Sequence, residues 1–345
     1  MTSIELSWLI RRHGIEMTHL SGGSHIGAIM SVADIIAVLY ADIMRFDSKN
    51  PKDDTRDRFI LSKGHAGAAI YAALAENGFF PTEELKTHYQ NGSRLSGHVS
   101  HHVPGVDFST GSLGHGLSAA AGMALAAKQD KKTHKTYVVL GDGECNEGSV
   151  WEAALFAVHF GLDNLVCIVD HNKMQSLDFC DKTLSTAPLA GIWQSFGWNV
   201  IDIDGNDHAQ CHEALKNIQA NGKPTVIIAN TVKGKGISYM ENDRCEVLIN
   251  SFSDAELREV LNELWLDDAV DIIEDMPAGV VTRILKNTDP AVRRQINELL
   301  KYPEDSAGSI MTVEYVSLKK DLTVEQCFNK IRRESIDKET VYTAD

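Results

Sequence analysis

A carboxylate and an amide at the ends of two apolar segments are the residues of this chain best suited to chemistry. Asp142 lies between Gly141 and Gly143, and Asn172 follows after 28 intervening residues. Carboxylate and amide oxygens are ligands that Mg²⁺ accepts, and the glycines let the backbone approach a phosphate group closely. The pattern therefore predicts a site for a hard divalent cation that carries phosphates.

Histidines on glycine-rich turns form a second candidate set, which contains His25, His65, His98 and His115. Imidazole can bind phosphate or transfer a proton near pH 7. A single histidine is more often a hydrogen-bonded structural residue, but several on such turns indicate a binding surface. We interpret the remaining candidates as ordinary surface or core residues: His101, His102, His134, His159, His208 and His212.

Alternating apolar strands and amphipathic helices must position these loops. We predict strands at 136–140, 165–170, 199–204 and 225–231. We predict helices at 31–39, 66–76, 117–128, 150–160 and 209–220. This alternation is typical of a parallel sheet covered by helices on both faces, which is the α/β fold class.

The composition changes near residue 243, and we interpret the change as a domain boundary. All 14 histidines precede residue 213, and only two of the 26 glycines lie beyond residue 242. Residues 243–345 carry 13 Lys and Arg against 22 Asp and Glu, a net charge of −9, whereas residues 1–242 carry −6. We expect an α/β domain over 1–242, an acidic helical segment over 243–307 and a further segment over 308–345.

The overall composition argues against several classes of protein. A net charge of −15 disfavours nucleic acid as a partner. No uninterrupted run of 18 apolar residues predicts a membrane span, and the N-terminus lacks the apolar stretch of a secretory signal. The six cysteines show no metal-binding spacing, so we expect free thiols and a cytoplasmic protein.

Seven segments, in order along the chain, resemble transketolase: Ser21–Gly27, Asp57–His65, Arg94–His98, Gly111–Gly116, Gly141–Gly148, Asp170–Gln175 and Lys233–Ile237. The likeness covers about residues 1–242 and is greatest to the N-terminal subunit of split transketolases. It implies a domain that binds thiamine diphosphate and Mg²⁺. It also implies a reaction of the pentose phosphate pathway, in which a two-carbon ketol unit passes from a ketose phosphate to an aldose phosphate.

The resemblance implies which residues hold the cofactor. Asp142, Asn172 and the backbone carbonyl of Met174 would bind Mg²⁺. His65 and Gly143 would contact the diphosphate. These assignments turn the general phosphate and metal site into a specific cofactor site.

Further roles follow from the same resemblance. Gly111 and Leu113 would lie beside the thiazolium and aminopyrimidine rings. His25 and His98 would line the substrate channel and contact sugar hydroxyls. The chemistry is led by the cofactor, and the protein supplies orientation and proton transfer.

The resemblance also implies partner chains. Glu147 and Glu152 would belong to a buried carboxylate network that links two active sites. Transketolase binds its cofactor between two domains, and a glutamate of the pyrimidine-binding domain activates the aminopyrimidine. This sequence shows no second α/β domain, so we expect its partner to be a C-terminal, pyrimidine-domain subunit, in a dimer of heterodimers.

Two departures weaken the resemblance. His171 stands where the family pattern leads us to expect an aromatic residue. After Asn242, a Trp-His-Gly segment whose histidine would touch diphosphate and substrate is replaced by Asp243–Val247. We therefore expect impaired activity even with a partner.

The last hundred residues resemble a different family, the N domain of MgtE-type magnesium transporters followed by the start of a CBS domain. The segment Tyr302–Met311 carries most of this likeness, and Ser253–Glu256 matches a helix-capping box. We predict a small all-α helical repeat over 243–307. A truncated β-α CBS start would follow over 308–345, with a strand at Thr312–Ser317 and a helix that begins at Thr323.

Other functions remain open. A 1-deoxyxylulose-5-phosphate synthase shares the cofactor motif, although Asp57–His65 and Lys233–Ile237 favour transketolase. A chimeric or vestigial chain could retain only Mg²⁺ sensing in its acidic tail. The acidic run at 267–275 is, however, more typical of a solvated helix face than of a metal site.

Overall fold

The computed structural model describes residues 1–21, 25–175, 178–238 and 240–241, together with Arg293, Arg294, Thr323 and Gln326. The chain divides into two compact units, Met1–Arg244 and Cys245–Asp345. In the second unit, the Thr323 amide donates to Gln326 Oε1 at 2.9 Å and the Gln326 amide to Thr323 Oγ1 at 3.3 Å. This is a reciprocal capping arrangement where a helix was predicted to begin. The other predictions for 243–345 lie outside the described residues.

A five-stranded, fully parallel sheet forms the centre of the first unit, in the order β1-β2-β3-β5-β4. Its strands are β1 Arg58–Leu61, β2 Thr136–Gly141, β3 Leu165–His171, β4 Asn199–Asp204 and β5 Thr225–Asn230. The α/β prediction is confirmed, and the four predicted strands match β2 to β5 within a residue. The edge strand β1 was missed because it has only four residues.

Helices connect and cover the strands. They are α1 Ser3–Ser21, α2 Ile26–Val38, α3 Gly67–Glu76, α4 His115–Gln129, α5 Gly148–His159, α6 Cys180–Thr183, α7 Leu189–Ser195 and α8 His208–Lys216. The α1 helix was not predicted. Helix α8 begins after Asp207, whose carboxylate accepts from the amides of Ala209 and Gln210, and it ends four residues before the predicted end.

The core lies on both faces of the sheet because successive strand residues point to opposite sides. On β3, Val166 and Ile168 pack with α1, α2, α3 and α8, whereas Cys167 and Val169 pack with α4, α5 and α7. All of these side chains are buried. The sheet is therefore covered on both sides, which explains why its strands read as continuous apolar runs.

One helical stretch in the described residues, Ile26–Ile43, is long and apolar enough to cross a membrane, with a mean hydropathy of 1.9. It is 72% buried within the protein. Asp34 lies on its path and forms an ion pair with Arg11 at 2.7 Å. A core helix of a folded domain satisfies the same length and composition criteria.

Candidate cofactor site

The predicted Asp142–Asn172 pair lies at the carboxyl edge of the sheet. Strands β2 and β3 are parallel neighbours, with Gly141 opposite Asp170, so the residues that follow them lie on adjacent loops. Asp142 and Asn172 are both buried. The backbone amide of Lys173, next to Asn172, donates to Asp142 Oδ2. The structure thus joins the two loops that the sequence singled out.

Asp142 carries a carboxylate in a poorly solvated position. Burial raises the pKa of its carboxyl group, and the nearby Asp170 adds to the increase. Hydrogen bonds from the amides of Lys173 and Gly143 oppose it. A cation beside this carboxylate would offset both the burial and the neighbouring negative charge.

The loop around Gly143 is closely packed. A Cβ atom at this position would lie 2.7 Å from Gln175 Cγ, closer than real Cβ atoms approach. Glycine therefore lets the Gln175 side chain pack directly against this turn, whose amide donates to Asp142 Oδ1 at 2.8 Å. The Met174 amide donates to Asn172 Oδ1 at 3.1 Å, which places the third predicted ligand residue on the same short loop.

Asp170 organises this edge, a role that the sequence analysis missed. It is fully buried and forms an ion pair with Lys63, which is also buried. It accepts hydrogen bonds from Ser31 Oγ at 2.6 Å, from Thr231 Oγ1 and from Asn172 Nδ2 at 3.3 Å. Burial alone would raise its pKa, but Lys63 and these hydrogen bonds outweigh that effect and lower it.

Because Asn172 donates its amide nitrogen to Asp170, its amide orientation is fixed. The amide oxygen then faces the Met174 amide and the loop of the predicted metal ligands. Asp170 is therefore a positioning residue for Asn172. Its place at the end of a buried strand, two residues before Asn172, was the signal that could have revealed it.

Glu144 performs a similar task on the other loop. Its Oε1 accepts from Ser62 Oγ and from the Gly114 amide at 2.7 Å, and its Oε2 accepts from the Gly141 amide at 3.1 Å. Burial raises its pKa, and these hydrogen bonds oppose the rise. Glu144 thus ties the loop after β2 to the loop that precedes α4. The sequence analysis assigned it no role.

Three of the predicted histidines converge near this edge. The ring centroids of His25 and His65 are 5.1 Å apart, and those of His25 and His98 are 6.0 Å apart. Within the described residues, none of the three imidazoles makes a hydrogen bond. His25 also has a left-handed backbone, with φ of 69°. The three rings therefore form a cluster that is open to ligands.

The surroundings of two of these rings lower the pKa and favour the neutral imidazole. Burial lowers the pKa of His65 to about 3, with the Lys63 charge as the next cause. It also lowers the pKa of His25, with His98 as the next cause. Neutral imidazoles can accept protons or donate hydrogen bonds to hydroxyl and phosphate groups.

The loop before α4 lies beside this cluster. A Cβ atom at Gly111 would be 3.5 Å from the His98 ring. Leu113 is an exposed apolar residue on the same loop. Both positions are compatible with a cofactor ring, which stays a prediction. The fourth histidine, His115, is exposed at the start of α4 and makes no ring contact with the other three in the described structure.

Among the described residues, Glu147 and Glu152 do not form a buried carboxylate network. Both side chains are exposed, Glu147 just before α5 and Glu152 on that helix. Beside Glu152, the apolar side chains of Leu155, Phe156 and Phe160 are also exposed. Burial of the two glutamates would require another chain.

The residues present fit a magnesium–diphosphate group. No group of three His, Cys, Asp or Glu side chains that could hold a metal occurs among the described residues. The predicted set instead combines one carboxylate, Asp142, with the Asn172 amide and the Met174 carbonyl. Mg²⁺ is commonly held by one or two carboxylates together with phosphate oxygens of a bound molecule, so such a small protein set is sufficient.

His171, which stands where an aromatic residue was expected, ends β3. Its Nδ1 lies 3.1 Å from Asn230 Oδ1 at the end of β5. The imidazole therefore joins two strand ends. The described cysteines, Cys145, Cys167, Cys180 and Cys211, are free, as the sequence predicted.

Comparison with protein-family models gives a match over residues 5–307 to the family described as "Transketolase, thiamine diphosphate binding domain". The chain is 42% identical over 232 residues to a subunit of the apulose-4-phosphate transketolase of Phocaeicola vulgatus, covering 67% of this chain and 83% of that protein. It is 43% identical over 235 residues to a subunit of the 6-deoxy-6-sulfo-D-fructose transketolase of a Clostridium species, covering 68% and 86%.

Solved structures show the same likeness. Transketolase from Campylobacter jejuni superposes with a TM-score of 0.67 at 27% identity, over 86% of this chain and 48% of that one. Transketolase from Leishmania mexicana gives 0.65 at 26% identity, over 88% and 47%. This chain thus spans about half the length of these solved proteins. The family match also continues to residue 307, past the boundary predicted at residue 242.

Proposed function

We propose that this chain, which belongs to the family of transketolase thiamine diphosphate binding domains, is the cofactor-binding subunit of a split transketolase. The observation that carries the proposal is the joined pair of loops bearing Asp142 and Asn172, beside three histidine rings without hydrogen-bond partners among the described residues. The complete enzyme would transfer a two-carbon ketol unit from a ketose phosphate to an aldose phosphate.

In this proposal, Asp142, Asn172 and the Met174 carbonyl hold Mg²⁺. Gly143 admits the diphosphate to the backbone, and His65 contacts it as a neutral imidazole. Thiamine diphosphate, when bound, supplies the carbon centre that carries the transferred unit. The buried hydrogen bonds of Asp170 and Glu144 keep these ligands in place.

The chain's own contribution to the sugar is orientation and proton transfer. His25 and His98 are the two exposed members of the cluster, and their imidazoles make no hydrogen bond among the described residues. They hold the hydroxyl groups of donor and acceptor sugars and accept or return a proton at an imidazole nitrogen. Gly111 and Leu113 cover the rings of the cofactor.

A second chain completes the site. Relatives of similar size are named as single subunits of a transketolase, which supports a split enzyme with a partner chain. We propose that the partner is a pyrimidine-domain subunit, in a dimer of heterodimers in the cytoplasm. Glu147 and Glu152, exposed in this chain, would become buried there.

The sugar phosphates remain to be determined. The names of the two relatives described above give apulose 4-phosphate and 6-deoxy-6-sulfo-D-fructose as their substrates. Pentose phosphates are therefore one candidate class of substrate among several. A 1-deoxyxylulose-5-phosphate synthase would instead accept pyruvate as donor. Release of carbon dioxide from pyruvate would identify that alternative.

The test is a ketol-transfer assay on the purified full chain with thiamine diphosphate and Mg²⁺, with and without a transketolase C-terminal subunit. We expect activity only with the partner and none in the matched variant Asp142→Asn. A variant of this chain, with the Trp-His-Gly segment inserted after Asn242, measures how much that loop contributes to activity. If that extended chain is active and the original is not, the original is a broken enzyme; if neither is active, the proposed function is wrong.

A different role for the tail is a second hypothesis. The composition change near residue 243 and the division after Arg244 favour a separate unit there. We propose, as the alternative, that the chain is chimeric or vestigial and retains only Mg²⁺ sensing in its acidic tail, although the transketolase family match continues to residue 307. Mg²⁺-dependent protection of 246–345 from proteolysis, unchanged by Asp142→Asn, would support this; equal cleavage with and without Mg²⁺ would refute it.

A further inference from the structure

A cavity of about 510 Å³ opens at the opposite edge of the sheet from the cofactor site. It lies between the start of β2, the end of α8 and the segment after α2. Its polar lining includes Arg45, Lys135, Tyr137, His212 and Lys216. Strand β2 has six residues, so at ~3.3 Å per residue roughly 16 Å separates this cavity from Asp142.

The cavity has an excess of positive charge in an acidic chain. Arg45, Lys135 and Lys216 face two carboxylates, Asp42 and Asp57. Asp57 is already satisfied: it accepts from Arg45 Nη2 at 3.1 Å and from the amides of Arg45 and Lys135, both at 2.8 Å. Asp42 is exposed. Lys135 and Lys216 then stand against Asp42 alone, which leaves the cavity one net positive charge to meet a ligand.

Two donors in the wall have no side-chain hydrogen bond to any described residue. Tyr137 is only 2% exposed, yet in the described part of the chain its hydroxyl makes no hydrogen bond. The half-buried ammonium of Lys135 makes none there either. Burial lowers the pKa of Lys135; the Asp57 charge opposes this decrease, and the Arg45 charge adds to it. Neither atom is among the fully buried polar atoms without a partner, so both face the solvent in the cavity, where an acceptor on a ligand could meet them.

We propose that this cavity is a second anion site, which binds a phosphate monoester of sugar-phosphate size. The Lys135 ammonium and the Tyr137 hydroxyl donate to the phosphate oxygens, and Lys216 and His212 lie along the wall. A volume of this order is typical of small-molecule sites. The proposal is independent of the cofactor chemistry, because none of these residues belongs to the carboxyl edge.

The test uses the full chain saturated with thiamine diphosphate and Mg²⁺, so that the carboxyl edge is occupied. Ribose 5-phosphate, inorganic phosphate and ribose are titrated by calorimetry, and hydrogen exchange maps the protected segments. The variants are Lys135→Met and Tyr137→Phe. Lys132→Met is the matched control, because that exposed lysine pairs with Asp54 and does not line the cavity.

We expect ribose 5-phosphate to bind and ribose not to bind. Lys135→Met should weaken binding at least tenfold and Tyr137→Phe about threefold to tenfold, as expected for one hydrogen bond, whereas Lys132→Met leaves it unchanged. Exchange protection should centre on 42–45, 135–137 and 212–216. Equal binding of inorganic phosphate would assign the site to the free ion rather than to the ester.

Three results would overturn the proposal. They are no binding of any phosphate compound, binding that survives both cavity variants, and protection confined to the histidine cluster. Repeating the titration with the Asp142→Asn variant distinguishes binding in this cavity from binding at the cofactor site. Binding of ribose 5-phosphate that disappears in this variant belongs to the cofactor site. Binding that persists supports the second anion site, even if the proposed transketolase function is wrong.

Discussion

Two halves of the carboxyl edge are built in opposite ways. The carboxylate half, formed by Asp142, Glu144, Asp170 and Asn172, is closed by internal hydrogen bonds. The histidine half, formed by His25, His65 and His98, has no imidazole hydrogen bond within the described residues. The first half is therefore shaped before any ligand arrives, whereas the second depends on what binds there. Substitutions should separate the two halves by their effects on stability and on ligand binding.

The largest effect is expected from Lys63→Met. This change leaves the Asp170 carboxylate buried and without its ion-pair partner, which typically costs about 3–5 kcal/mol in the free energy of unfolding. Urea unfolding of the full chain measures the loss. The double variant Lys63→Met with Asp170→Asn is the control, and it should recover part of the stability. A loss under about 1 kcal/mol in the single variant would show that Asp170 does not organise the carboxylate half.

The Asp142→Asn substitution should weaken ligand binding much more than it changes the stability of the fold. Loss of this charge, which we propose as a metal ligand, should weaken Mg²⁺-dependent binding of thiamine diphosphate about a hundredfold or more, several kcal/mol, because charged groups contribute most at such sites. The unfolding free energy without metal should change by less than about 1 kcal/mol, because relief of the buried charge offsets the loss of one of the two backbone hydrogen bonds to the carboxylate. Calorimetric titration measures the binding, with the exposed Asp181→Asn as control. Unchanged affinity would remove Asp142 from the metal site.

Acid should destabilise the cofactor-free chain through His65. Its pKa of about 3 lies below the ordinary value of 6.5, so between these values the unfolded chain binds more protons. Stability therefore falls as pH decreases through this window, by about 2 kcal/mol for this group between pH 7 and pH 5. Unfolding of the native chain and of His65→Asn at both pH values measures the difference. An identical pH dependence in the two chains would contradict the prediction.

The smallest effect is expected from His98→Asn. The imidazole has no hydrogen-bond partner among the described residues, so the unfolding free energy should change by less than about 0.5 kcal/mol. Ser62→Ala, in contrast, removes a donor to the buried Glu144 and should cost about 1–3 kcal/mol. Thermal unfolding of both variants gives the comparison. Equal losses would show that the histidine half is as tightly built as the carboxylate half.

Much of the sheet and the central pair could be predicted from the sequence. Strands β2 to β5 are apolar runs of six or seven residues. The two glycines around Asp142 indicate a tight turn that presents a carboxylate. The fold class followed from the alternation of these strands with helices. The α8 helix was predicted too long, because the sequence does not show that regular hydrogen bonding ends at Lys216.

Among the supporting charges, only Asp170 has a signal in the sequence, which is its place at the end of a buried strand. Lys63 and Glu144 look like ordinary polar residues beside loops, since charged side chains are normally solvated. Only the folded structure shows that they are buried, with Lys63 paired to Asp170 and Glu144 hydrogen-bonded to Ser62. Likewise, the exposure of Glu147 and Glu152 depends on which chains are present, which a single sequence cannot specify.

The hydrogen bonds of Asp170 have a consequence for biosynthesis. Its partners Ser31, Lys63, Asn172 and Thr231 come from stretches of chain up to 200 positions apart. Contacts between such distant positions form late, because closing long loops has a high entropic cost. A nascent polypeptide cannot complete the set until Thr231 has left the ribosome. The capacity to bind the cofactor should then appear abruptly during translation, once the whole sheet has been synthesised.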